Sequence, residues 1–449
     1  MRTFLDCEIA LRSVSRNFDD SVIPTLENYI RIPNLSPAFN GGLSDEPETG
    51  AVIELLTSWV SKQEVRGLTW TIRRISGRTP IIYIEILASA DYPDKEDTVL
   101  LYGHLDKQPP FEGWGDGLGP YIPVIRDGRL YGRGGADDGY AIFGAIEAVK
   151  ALQEQQVDHA KYIILIEACE ESGSPDLPAH LAQLIDDNLL KNVSLIVCLD
   201  SGCGSYDSFW MTTSLRGLLL TKMTVSTLSE GVHSGNGGGI CADSFRIVRQ
   251  LLSSIEDEAT GQMISDFQVE IPENRLKQNA HTCNVLGDDV WRGFPLVNNC
   301  PMNNSCGNCE LALNRGWRAN LTVTGIDGVP SCFDGGNVLR PSTTVKLSIR
   351  LPPTYDDKIA FEKLNFHMRR VDIPHARIEF SKPMTAKGWN APNFEPWLEN
   401  ACHSASVQLF GKGPCYIFEG GSIPFLGMLN DLFPAAQLYV FYFMHTLFF

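Results

Sequence analysis

The sequence predicts an α/β fold: a mixed, mostly parallel sheet domain carrying an inserted α+β domain. Three observations lead there. Strand-like apolar runs alternate with helical stretches through the first 200 residues, the texture changes after Trp210, and a Gly/Pro/Trp-rich stretch at 386–397 returns the chain to the first pattern. At 449 residues, 43% of them hydrophobic, the chain is too long for one core and rich enough to bury two.

The elements follow in order. TVLLYG at 98–103 reads as a strand, YAIFGAIEAVKALQEQ at 140–155 as a helix, and KYIILIEA at 161–168 and NVSLIVCLD at 192–200 as strands. That alternation is the signature of a parallel sheet covered on both faces. Residues 211–384 read as the inserted domain: LLLTKMTVST, a helix-like SFRIVRQLLSSI, a polar cysteine-bearing loop near 295–310, then ANLTVTGI and TTVKLSIRLPP. Residues 1–210 and 385–449 make up the first domain, which closes with an amphipathic helix and GPCYIFEGGSIPF as a further strand and turn.

A formal net charge of -17 argues against a grip on nucleic acid or an anionic membrane, both of which need clustered Lys and Arg. A small-molecule or peptide partner fits better. Asp6 and Glu8 interrupt the start before any signal-peptide-like apolar run, so a cytoplasmic chain is expected. Twelve cysteines then read as free thiols, with Cys300, Cys306 and Cys309 as the single cluster. Cys306 and Cys309 have the spacing of half a zinc site or a redox pair, but no second such pair follows.

In open α/β sheets, functional groups gather beyond the carboxyl ends of strands, where loops line a crevice. Three predicted strands end this way, in His104-Leu105-Asp106, in Glu170-Glu171 and in Asp200. A further acidic pair, Asp137-Asp138, lies between a Gly-rich turn and a helix start. Singly, these are an ordinary polar histidine, a solvated Glu-Glu and a helix cap. Together at the ends of one sheet, one imidazole and several carboxylates suit a divalent metal such as zinc or manganese.

The segments Gly103-His104-Leu105-Asp106, Tyr131 to Gly139, Glu170 to Ser174, Asp200, Val232-His233-Ser234-Gly235 and Glu419 to Pro424 resemble the M20 metallopeptidases in order and spacing. Their carnosinase-like dipeptidases are the nearest in motif. The resemblance runs from about residue 20 to 437 and implies two divalent ions, zinc first, with manganese or cobalt as alternatives. It implies His104 and Asp200 as ligands of one ion, Asp137 as the bridge and Glu171 as a ligand of the other. Glu170 is implied as general base and Asp106 as the carboxylate that orients His104. The Asp137-Asp138 peptide is expected to be cis. The inserted segment is implied to be a lid and dimerisation domain, with His233, Asn337 and Arg350 binding substrate. His233 and Asn337 are implied to reach across a homodimer, and Ser422 to line the pocket from the catalytic domain.

The family's last ligand is a histidine in an Asn-Ala-His-type segment beyond an FP-x-A-Q stretch. Here FPAAQ at 433–437 is followed by LYVFYFMHTLFF, which lacks that pattern and reads as a truncated or out-of-frame end. His445 follows Gln437 too closely to be that ligand. Three readings stand: a dipeptidase acting on short peptides, a deacylase of N-acyl amino acids, and an inactive binding or dimerisation relic that has lost a metal ligand.

Overall fold

A computed structural model describes residues 4–42, 47–297, 300, 302 and 307–441. The chain groups into two compact units, Met1–Thr212 with Ala391–Ile417 and Met428–Phe449, and Thr213–Asn390 with Phe418–Gly427. Cys306 and His445 lie outside the described residues. The described cysteines, Cys300 and Cys309 among them, are free thiols. No helix among the described residues is long and apolar enough to cross a membrane.

In the first unit, Lys161–Glu167, Thr98–His104, Val193–Cys198 and Gln437–Phe441 lie side by side and run parallel. Antiparallel strands extend this centre on both sides: Ile81–Ile86 and then Leu68–Arg73 on one, Trp210–Leu215 on the other. The outcome is the mixed sheet expected, with two strands, Leu68–Arg73 and Ile81–Ile86, that the sequence reading had not placed. Gln437–Phe441 differs more: the aromatic run read as aberrant begins as a central strand, with Leu438, Tyr439 and Val440 all buried. Its apolar character is what a strand buried on both faces requires.

Helix Ala141–Glu154 packs on this sheet through Ile142, Phe143, Ile146 and Val149, and Phe143 meets Trp59 edge-on at 4.7 Å between ring centroids. The fit is tight where the helix begins. A Cβ on Gly103 would lie 2.4 Å from the Ala141 Cβ and 2.6 Å from an Asp138 carboxylate oxygen. Helix Ile23–Ile30 ends on the ammonium of buried Lys107, which donates to the carbonyls of Tyr29 at 2.7 Å and Ile32 at 2.6 Å. A cation there satisfies carbonyls that have no partner within the helix.

The second unit is built on an antiparallel sheet in the order Asn320–Asp327, Ser342–Leu351, Gly217–Ser226, Arg377–Phe380, with Met384–Ala386 also on Gly217–Ser226. Gly217–Ser226 alternates buried and less buried residues, as a sheet covered on one face should. Helices Ser244–Leu252 and Asp357–Arg369 contribute Ile247, Leu251, Ala360 and Leu364 to that core. The cysteine-bearing stretch read as a loop turns into a helix at Asn308–Gly316. Phe418–Gly427 groups here rather than with the first unit, because Phe418 packs edge-on against Trp317 and Arg216 donates to the Gly420 carbonyl at 3.2 Å.

Two tests follow from this packing. Gly103→Ala is expected to cost about 1–3 kcal/mol through overpacking against Ala141 and Asp138, read as a lower thermal midpoint; an unchanged midpoint contradicts the close approach. Burial pushes Glu167 up to about 7, against hydrogen bonds from Tyr102 and Ser174 that hold it down. The folded chain therefore keeps a proton that the unfolded chain releases near 4.5, and stability falls as pH rises through that window. Glu167→Gln should flatten that decline in thermal midpoint, and an unaltered slope would assign it elsewhere.

Candidate functional site

The first unit's site stands at the carboxyl ends of three adjacent parallel strands. His104 closes Thr98–His104 in register with Glu167, and Glu170–Ser172 forms a single tight turn just beyond that neighbour. Asp200 follows Val193–Cys198 on the other side. Asp137 and Asp138 lie in the turn before helix Ala141–Glu154, joined by a cis peptide. Asp138 faces inward and accepts the His104 backbone N–H at 3.1 Å.

Asp106 ties these pieces together. Its carboxylate accepts the backbone N–H of Glu170 on one oxygen and of Glu171 on the other, each at 3.1 Å. The same carboxylate lies 3.5 Å from His104 Nδ1, whose closer partner is the Asp106 main-chain carbonyl at 3.1 Å. The carbonyl of the intervening Leu105 accepts from Tyr29 Oη at 2.8 Å and Asn34 Nδ2 at 2.5 Å. With Nδ1 committed, Nε2 points the other way. It lies 3.3 Å from Asp137 Oδ1 and 3.8 Å from Asp200 Oδ2.

Two groups of potential ligand atoms share His104: one with Asp137 and Glu171, one with Glu170 and Asp200, all within 4.8 Å of one another in each group. His104 Nε2 and Glu171 Oε1 are buried without a hydrogen-bond partner. Buried polar atoms are nearly always paired, so an orphaned imidazole nitrogen facing carboxylates fits a metal ion. The electrostatics agree. Burial alone would lower His104, but Asp106 and Asp137 outweigh it and lift it well above its ordinary value. Burial and then the charge of Asp200 push Glu170 well up, and burial with Asp137 pushes Glu171 up to about 8. All three shifts record a surplus of negative charge around the site, which a metal ion in place of protons would offset.

Gln108, four residues beyond His104, donates to the other Glu171 oxygen, Oε2. Neither this contact nor the inward role of Asp138 was read from the sequence; Gln108 carries no pattern that marks it, whereas Asp138 stood in the acidic pair.

The remaining sequence-predicted residues lie in the second unit. Val232–His233 pairs with Val338–Leu339, which sets exposed His233 beside Asn337, whose carbonyl accepts from Ser234 N at 2.9 Å. His233 Nδ1 accepts from Gly235 N at 3.1 Å. Arg350 Nη1 donates to Ser422 Oγ at 3.1 Å, and Ser422 Oγ donates to the Arg216 carbonyl at 2.5 Å. Ser422 is thus held by Arg350 and Arg216, within the compact unit that includes Phe418–Gly427. Beside it, burial and then the Arg350 charge bring Arg216 down to about 9.

Comparison with known proteins agrees with this architecture. The chain is 28% identical over 362 residues to Beta-Ala-His dipeptidase of Homo sapiens, covering 77% of this chain and 68% of that protein. It is 24% identical over 427 residues to Cys-Gly metallodipeptidase dug1 of Schizosaccharomyces pombe, covering 90% and 85%. Among solved structures, human carnosine dipeptidase 1 shares the fold with a TM-score of 0.72 at 23% identity, covering 97% of this chain and 91% of that one. The dipeptidase Dug1p of Saccharomyces cerevisiae shares it with a TM-score of 0.71 at 19% identity over the same shares. The family model for peptidase family M20/M25/M40 matches residues 100–421. With that match across most of its length, the chain belongs to peptidase family M20/M25/M40.

Proposed function

We propose that the protein is a metal-dependent dipeptidase, cleaving the amide bond of dipeptides or short peptides with two divalent ions, zinc first among them. The observation that carries this reading is the orphaned His104 Nε2 facing Asp137 and Asp200 at the ends of adjacent strands, with Glu170 and Glu171 alongside. The relatives named for dipeptide hydrolysis support the substrate class.

His104, Asp137, Glu171 and Asp200 would hold the ions. Bound there, divalent cations supply Lewis acidity and make a nucleophilic water available at neutral pH. Glu170 takes the proton from the attacking water and returns it to the leaving amine. Asp106 is the positioning group: it fixes the His104 ring and holds the backbone beneath Glu170 and Glu171. Arg350, with Ser422, pairs with the substrate's free carboxylate. His233 donates to the carbonyl oxygen as negative charge develops there, and Asn337 helps seat the substrate. In this reading residues 211–384 serve as a lid and as the dimerisation domain of a homodimer, with His233 and Asn337 reaching the partner's site, and the remainder of the chain is the catalytic domain.

Hydrolysis of a dipeptide and N-acyl amino acid panel with added zinc or manganese tests the reading. Dipeptide turnover supports it, turnover confined to N-acyl amino acids replaces it with a deacylase, and none in the presence of either metal favours the relic. Glu170→Gln is expected to lower kcat roughly a thousandfold while zinc content is retained, and full activity in that variant would remove Glu170 from the chemistry. Asp106→Ala should weaken zinc binding by about 10–100-fold in chelator competition; unchanged affinity would reduce Asp106 to a packing role.

A further inference from the structure

Helix Glu273–Leu286 presents one buried face, Arg275, Asn279, Thr282, Cys283 and Leu286, spaced by three and four residues as the helical turn requires. That face packs against helix Asn308–Gly316 within the second unit. Only Cys283 and Leu286 on it are apolar, so apolar burial contributes little between the two helices. Asn279 makes the polar link: its Nδ2 donates to the Cys309 carbonyl at 2.9 Å, and its Oδ1 accepts from Cys283 Sγ at 3.8 Å. One side chain thus touches Cys283, a turn further along its own helix, and Cys309 on the facing helix.

The two thiols meet at that point. Cys283 is 6% exposed, and burial together with the Cys309 thiol beside it pushes its thiol up to about 12. Cys309 is half-buried, in the first turn of helix Asn308–Gly316, and is the member of the pair that solvent reaches. That helix is seated hard on the segment leading to Ser422: a Cβ on Gly316 would lie 2.2 Å from the Phe418 Cβ. Just past its end, the Arg318 carbonyl accepts at 3.3 Å from Arg216 Nη1, and the Arg216 carbonyl in turn takes the Ser422 hydroxyl. Fixing helix Asn308–Gly316 therefore fixes the support beneath Ser422.

We propose that Cys283 and Cys309 form a redox site: a peroxide joins them in a disulfide that staples helix Glu273–Leu286 to helix Asn308–Gly316, and a dithiol releases it. In the first step the Cys309 thiolate attacks one peroxide oxygen, the O–O bond breaks and hydroxide leaves, giving a sulfenic acid on Cys309. The Cys283 thiol then gives up its proton and attacks the Cys309 sulfur, and the S–O bond breaks with loss of water. Two thiols lose two electrons and two protons, and one hydrogen peroxide becomes two waters. A second thiol within reach diverts the sulfenic acid from further oxidation. The link closes the chain between residues 283 and 309, which removes freedom from the unfolded state and stabilises the folded one.

The experiment takes the reduced full-length chain, treats it with stoichiometric hydrogen peroxide, blocks remaining thiols by alkylation and digests it without reductant. Mass spectrometry is expected to find the Cys283–Cys309 cross-linked peptide as the main disulfide, and dithiothreitol to remove it. Oxidation should raise the thermal midpoint by about 5 °C or more. Cys283→Ala should abolish both the cross-link and the rise, and leave Cys309 open to sulfinic acid. Cys309 joined instead to Cys300 or Cys306, or stopping at sulfinic acid in the unmodified chain, overturns the proposal. A midpoint that stays or falls although the link forms overturns the staple. If Cys283→Ala fails to fold, Cys309→Ser at the half-buried position removes the same cross-link, and a rise that persists in that variant overturns the proposal equally.

Discussion

The rest of the site depends on one buried carboxylate. Asp106 is 1% exposed, and an ion so placed must find partners. It finds them in the backbone of the Glu170–Glu171 turn and in the edge of His104, so one side chain couples the ends of two neighbouring strands. That coupling holds Glu170 and Glu171 against their own repulsion. It also leaves His104 Nε2 as the free nitrogen, turned toward Asp137 and Asp200.

The second constraint is charge. Five carboxylates, of Asp106, Asp137, Glu170, Glu171 and Asp200, meet around one imidazole, and burial makes their repulsion expensive. Protons can relieve it, as the upward shifts of Glu170 and Glu171 record. Divalent cations relieve it better, and in a peptidase family member they would bring the Lewis acidity that amide hydrolysis needs. Tight packing behind the site, where Gly103 has no room for a side chain, keeps Asp138 pressed against the His104 backbone.

Much of this was legible in the sequence because strands buried on both faces read as continuous apolar runs, and their carboxyl ends carry His104, Glu170-Glu171 and Asp200. Leu68–Arg73 went unplaced although Leu68, Trp70 and Ile72 alternate with Thr69, Thr71 and Arg73; as the edge strand of the sheet it has no fully buried residue, so it lacks the continuous apolar run that marks the central strands. Ile81–Ile86 is a six-residue run, apolar except for Glu85, too short for its period to distinguish strand from helix. The run after Gln437 lacked the family's pattern, yet Leu438 and Val440 fill a central strand. Grouping of Phe418–Gly427 depends on Trp317, about a hundred residues away in sequence, a contact no local pattern encodes.

The proposed metal centre, in which His104, Asp137, Glu171 and Asp200 would hold divalent ions, rests on the unpartnered His104 Nε2 at the strand ends. Crystals of the zinc-loaded protein, measured on either side of the zinc absorption edge, test it most directly. The account predicts two anomalous peaks, one beside His104 and Asp200 and one beside Glu171, with Asp137 between them. No peak within reach of His104 Nε2, or zinc bound only at the cysteines, would contradict it.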